Sequence, residues 1–157
     1  MPTRFPVTFQ TRAGRAVTRP HEGDPVIEVY FHRPSPLDTE FTTLPYKALI
    51  DTGSQLNCAC PELLERHGCP LERSMVVQGV TGNADTHLYT GMIYVPEHRN
   101  GLTTQFIALE SLRGQHIPLI LGSLFMQQGH LSLNHVTGEH WFDYHSASER
   151  ALHPRRW

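Results

Sequence analysis

The chain of 157 residues lacks any apolar run near the ~18 residues that a bilayer span requires, so no membrane-spanning helix and no membrane partner are expected. It also lacks an excess of either charge, with thirteen basic residues against fifteen acidic ones and a formal net charge of -2. Such a balance supplies no field to gather nucleic acid or anionic lipid, and nucleic acid is not expected as a partner. Lysine is almost absent: Lys47 is the only one, and the other basic residues are arginines. The first ten residues hold Arg4 and Pro6 but no apolar stretch before a small-residue cleavage site. No secretory leader is therefore expected, and a cytoplasmic location is the default.

Only three cysteines occur, Cys58, Cys60 and Cys69, an odd number that cannot form a closed intrachain disulfide set. Reduced thiols in a cytosolic protein fit best. Cys58, Cys60, His67 and Cys69 are four soft or borderline ligands close together, which raises the question of a metal. The C-x-C and H-x-C spacings are not those that zinc knuckles use, so buried apolar thiols are expected instead. Histidine is abundant, with eleven residues, and the net charge must rise between about pH 7 and 5. His130, His135, His140 and His145 recur every five residues, but an odd step alternates the faces of a strand. They cannot all line one site.

Other catalytic signatures are missing as well. There is no G-x-S-x-G elbow and no H-E-x-x-H. The segment from His135 to His140 has one residue too many for H-x-x-E-H and reads as a β-turn at Thr137-Gly138. The glycines at 79–83 come without the lysine and the strand-to-helix setting of a phosphate loop. Neither a metal nor a cofactor is expected.

What the chain does contain is punctuation. Twelve prolines and twelve glycines are spread along it and exclude long helices. Between them lie short runs rich in β-branched and aromatic residues: 7–11, 26–32, 46–50, 75–78, 87–95, 104–109, 119–121, 130–133 and 140–144. Two short helices are expected. One covers 61–67, with Pro61 in its first turn and Gly68 at its end; the other covers 123–128, closed by Gly129. Segments 34–44 and 96–101 read as loops, and 7–10 with 16–18 as a hairpin. A prior of ~150 residues per domain makes the whole of 1–157 one mostly β domain. Its core is expected at about 26–144, with 1–25 as N-terminal strands or an extension and 146–157 as a polar C-terminal tail.

The most informative stretch is Ala48-Leu49-Ile50-Asp51-Thr52-Gly53-Ser54. An apolar strand should not end in an isolated carboxylate unless its charge is paired, hydrogen-bonded or put to use. Gly53 lets backbone approach closely, and Thr52 can hold local geometry through its hydroxyl. By composition alone ~3% of chains this long would contain the triplet, so taken singly it is an Asx-type turn, with a helix expected to follow. About seventy residues on, Ile117-Pro118-Leu119-Ile120-Leu121-Gly122-Ser123-Leu124-Phe125 forms a second apolar strand that runs into a glycine and a short helix.

Together these elements resemble the retropepsin-like aspartic proteases, the single-lobe relatives of the pepsins. Asp51, Thr52, Gly53 and Ser54 match the D-T-G-[AS] element of that family, and Ile120, Leu121 and Gly122 match its later apolar strand ending in glycine. Gly79-Val80-Thr81-Gly82 looks like the glycine-bearing flap hairpin. Gln55 stands where many retroviral members carry an acid. The resemblance covers roughly 26–144. It implies a single-lobe acid-protease β-barrel, closed, with one or two short helices. It further implies a homodimer whose site lies on the twofold axis, since only one D-T-G is present.

The implied activity is that of an aspartic endopeptidase without cofactor or metal, acting on an extended peptide or protein substrate. Asp51 would be catalytic, with Thr52 bracing and Gly53 admitting the substrate backbone. Ser54 and the hairpin Gly79, Val80, Thr81 and Gly82 would meet the substrate, while Ile120, Leu121 and Gly122 would support the site. The alternative is a retropepsin-fold peptide-binding or assembly module without turnover.

Overall fold

The computed structural model describes residues 2–35, 44–95 and 100–152. Twelve strands account for most of them: β1 Thr3–Pro6, β2 Thr8–Gln10, β3 Ala16–Val17, β4 Asp24–His32, β5 Tyr46–Ile50, β6 Asn57–Ala59, β7 Leu71–Gly79, β8 Gly82–Val95, β9 Asn100–Ala108, β10 Leu119–Leu121, β11 Gly129–Asn134 and β12 Glu139–Tyr144. Three short helices are interspersed, α1 Pro61–Arg66, α2 Ser123–Met126 and α3 Ala147–Leu152.

Pairing divides the strands into two sheets. β1, β12 and β11 form a three-stranded antiparallel sheet, and the others run in the order β3-β2-β4-β5-β10-β6-β9-β8-β7. β4 also pairs with β8, so hydrogen bonding passes from β4 through β5, β10, β6, β9 and β8 and returns to β4. Its length permits this: Val26 to Val29 face β5, while Tyr30 to His32 face β8. Two pairings in the ring are parallel, β10 with β5 and β6 with β9. The β4 sequence explains its burial: Val26, Ile27, Val29 and Phe31 are all inside, while Glu28 between them faces out.

The interior is filled chiefly by aromatic and branched side chains. Phe31 and Phe106 meet edge to face at 5.1 Å, and Phe125 of α2 lies 5.2 Å from Phe142 of β12. All four rings are fully buried, each contributing about 1.5–3 kcal/mol. The ring pair from α2 and β12 fastens the small sheet to the large one. The small sheet is clamped at its edge as well, where the Arg4 guanidinium donates two hydrogen bonds to Asp143, 2.8 and 2.9 Å long, and stacks 4.4 Å over Trp141. That pairing holds the Asp143 carboxyl below its usual range.

Several expectations need correction. The segment after Ser54 enters a strand, β6, before any helix; Asn57, Cys58 and Ala59 are not β-branched, yet β10 and β9 flank them and supply the ladder. The expected strand 7–11 is found only as β2, and a further strand, β1, precedes it in the small sheet; Val7 links the two, its N–H still donating to the His140 carbonyl of β12 at 3.0 Å. Gly129 does not close α2 with a left-handed cap; it opens β11, where a Cβ would collide with the Asp143 carbonyl. Gly68, at φ +62, does follow α1 in that conformation. The polar tail contains a helix, α3, begun by Ser146 and Glu149: the Ser146 N–H donates to the Glu149 carboxylate at 2.8 Å and the Glu149 N–H to the Ser146 hydroxyl at 3.3 Å. Of the expected loops, 36–43 and 96–99 lie outside the described residues, as does 153–157 of the tail. The hairpin of β2 with β3 and the turn at Thr137-Gly138 are found as expected, Gly138 at φ +75.

Candidate functional site

Parallel pairing of β5 with β10 sets the site. Ala48, Leu49 and Ile50 lie beside Leu119, Ile120 and Leu121, so the two strands end together and their turns leave side by side. Asp51 takes the first position beyond β5, and its N–H donates to the Leu121 carbonyl at 3.1 Å. Its Oδ1 accepts the N–H of Gly53 at 3.0 Å, and its carbonyl accepts that of Ser54 at 3.2 Å. The carboxylate is thus oriented by its own turn. It is half-buried, and among the described residues it has no cationic partner.

The turn is locked against the segment that follows β10. The Ser123 N–H donates to the Ser54 carbonyl at 2.7 Å and the Leu124 N–H to the Gln55 carbonyl at 3.1 Å. Ser54 turns its hydroxyl inward to the Leu56 carbonyl at 2.7 Å. Gly122 fits between these backbones: a Cβ there would stand 2.5 Å from the Leu56 oxygen and 2.6 Å from that of Ser54. Backbone cannot give way as a flexible side chain can, so no larger residue fits without moving the Asp51 turn.

Leu49 of β5 and Ile120 of β10 line a cavity of about 390 Å³, together with Ile117, Leu109, Arg12 and Asp24. Leu49 stands two residues before Asp51 and so on the same face of the chain. A second apolar cluster gathers Cys58, Leu88 and Ile107 with Leu56, Ile120, Met75 and Val77. Met75 and Val77 belong to the hairpin of β7 and β8, which ends in Gly79 opposite Gly82. The tip is exposed, Val80 completely, and Gly82 holds φ +121.

Among solved structures, a retropepsin-like aspartic protease from Rickettsia conorii aligns over 92% of this chain and 96% of its own, with a TM-score of 0.51 at 12% identity. The chain has a retropepsin-like fold. The EIAV protease complexed with the inhibitor HBY-793 also aligns, over 71% of this chain and 92% of its own, at 23% identity and a TM-score of 0.45. No family model and no curated protein matches the chain.

Within this retropepsin-like lobe, Asp51 bonds to Leu121 and Ser54 backs onto Gly122, Ile120 lines the cavity, and Met75 and Val77 of the hairpin join Ile120 in the second apolar cluster. Thr52 and Gly53 are exposed. Sequence reading missed Asn57. It is completely buried, accepts the Gly122 N–H on Oδ1 at 3.1 Å and donates from Nδ2 to the Gln105 carbonyl at 3.2 Å. The one signal available for it was an amide inside the apolar run 56–60, because a buried polar group needs partners. All three thiols are buried and unbridged. Burial, with the nearby Asp51 charge second, pushes the Cys58 thiol up to about 11, and burial does the same for Cys69. Among the described residues no three metal-ligating side chains come together.

Proposed function

We propose that the chain is a homodimeric aspartic endopeptidase in which two copies of Asp51, one per chain, activate a water molecule against a peptide bond. The observation that carries this reading is an Asp51 carboxylate without a cationic partner among the described residues, held by a turn locked to the β10–α2 junction, in a retropepsin-like fold. Two carboxylates brought close cannot both ionise readily and share one proton, the established behaviour of aspartic-protease pairs. The ionised member removes a proton from the water as the water oxygen bonds to the scissile carbon, the C=O π bond opens, and the neutral member passes its proton to the carbonyl oxygen. The resulting diol collapses with a proton passing to the amine, so the C–N bond breaks and both carboxyls return to their starting state. Nothing in this sequence calls for a covalent intermediate.

The remaining roles follow from position. Thr52, exposed at the turn, braces the two Asp51 turns across the axis, and Gly53 admits substrate backbone. The hairpin tip from Gly79 to Gly82 closes over an extended peptide whose side chains alternate between pockets. The cavity beside Leu49 and Ile120 favours a large apolar side chain near the cut. The three free cysteines agree with a reducing, cytoplasmic setting. Among the described residues no helix is long and apolar enough to cross a membrane.

The test is cleavage of a diverse peptide library at about pH 4, 5.5 and 7, with Asp51→Asn as matched control. The reading expects cuts made by the unmodified protein, strongest in acid, and a loss of at least about 1,000-fold in the variant with fold and dimer intact. Binding of peptides without any cleavage by the unmodified protein would overturn it.

A further inference from the structure

Resting on the proposed catalytic role of Asp51, we infer that Asn57 is a positioning residue, fixing the turn that bears the carboxylate without touching substrate itself. A side-chain amide offers one acceptor oxygen and two donor hydrogens. Here all are used: Oδ1 accepts from Gly122, and Nδ2 donates to the Gln105 carbonyl at 3.2 Å and the Thr104 hydroxyl at 3.4 Å. Asn57 therefore ties the start of α2 to β9 from its place on β6, which lies between β10 and β9.

The tie reaches the carboxylate in two contacts. Gly122 is pressed on the carbonyls of Ser54 and Leu56, leaving it no freedom toward the Asp51 turn, and Asn57 removes its freedom in the other direction. Its neighbours Leu121 and Ser123 hold Asp51 and Ser54 by backbone hydrogen bonds. A shift of Gly122 therefore moves the anchor of Asp51 and the far side of its turn together. Two carboxylates that must share a proton are sensitive to such a shift, because their separation sets how far their ionisations are driven apart.

Two substitutions separate positioning from bulk stability. Asn57→Leu keeps the branched shape, with a larger volume, and removes every side-chain hydrogen bond. Asn57→Asp keeps the acceptor for Gly122 but, when ionised, offers no donor to Gln105; when protonated it supplies one donor and one acceptor, enough for Gln105 and Gly122 but not for Thr104 as well. Burial favours that protonated form. We expect Asn57→Leu to lose about 100-fold in kcat while KM stays within about twofold. Asn57→Asp should regain activity relative to the unmodified protein as pH falls from about 7 to 4.5.

Amide hydrogen exchange on the same samples should show lost protection at 51–56 and 121–124, with β4 and β12 unchanged. A folded Asn57→Leu protein whose kcat stays within about threefold of the unmodified value would overturn the inference. So would global unfolding of both variants at every pH, which makes Asn57 structural only. If the unmodified protein cleaves no peptide, the catalytic reading fails on its own and exchange decides: loss of protection confined to 51–56 and 121–124 upholds the positioning role, and retained protection overturns it.

Discussion

His67 is a base whose neutral form the fold favours. It sits at the end of α1 with Tyr46 hydroxyl 2.9 Å from Nε2 and its ring edge-on to Phe31 and close to His32, 5.6 and 5.4 Å away. Burial first, and then the charges of His32 and Arg66, lower its pKa below the ordinary 6.5. The unfolded chain therefore takes up this proton before the folded one does. Stability from His67 is complete above about pH 6.5 and declines as pH falls from there toward its lower folded value. Urea unfolding midpoints between about pH 7.5 and 5 should fall with acid, and His67→Gln, which keeps a hydrogen bond to Tyr46, should flatten the slope. Asp143 is separable, since a carboxylate lowered by Arg4 loses its contribution only as pH falls through that depressed value, below 3.8. At this scale the sequence announced Asp51, because a carboxylate closing an apolar run is conspicuous. Asn57 was not announced, because its meaning depends on Gly122 and Gln105, distant in the chain and adjacent only once β6 lies between β10 and β9.

The hairpin of β7 and β8 is the element whose function is most open to trial. Of β7 the sequence betrayed only 75–78, since Glu72, Arg73 and Ser74 are exposed and polar, and the strand there is sustained by backbone pairing with Leu88 and His87. Gly82 at φ +121 holds a conformation that side-chain-bearing residues rarely adopt, so Gly82→Val strains the tip by about 1–3 kcal/mol unless the tip rearranges. The tip is exposed and can rearrange locally. Unfolding free energy should change by less than about 1 kcal/mol, while kcat/KM for peptide cleavage falls by about tenfold or more. Equal cleavage by both proteins would detach the hairpin from function. β6 and α3 were illegible for different reasons. The three residues of β6 carry no strand preference and are recruited by their neighbours, whereas α3 displayed its Ser146-x-x-Glu149 start and was obscured by the polar residues that follow.

For the whole molecule, the closed succession of pairings from β4 round to β8 follows from strand order, which local patterns do not encode. Apolar runs revealed most strands, and the two turns after β5 and β10 revealed which strand ends matter. The parallel contact that sets those ends side by side had to be seen in the structure. Under the proposed function one lobe with one Asp51 requires a second lobe to complete the chemistry, and this requirement is the most exposed part of the proposal. The decisive measurement mixes chains: unmodified protein, held at fixed amount, is refolded with increasing Asp51→Asn protein and assayed for peptide cleavage. Only pairs of unmodified chains carry two Asp51 carboxylates, so at a ninefold excess of variant, random pairing leaves about a tenth of the activity. Activity that is undiminished at that excess would mean that each chain cleaves alone, and the shared site would be wrong.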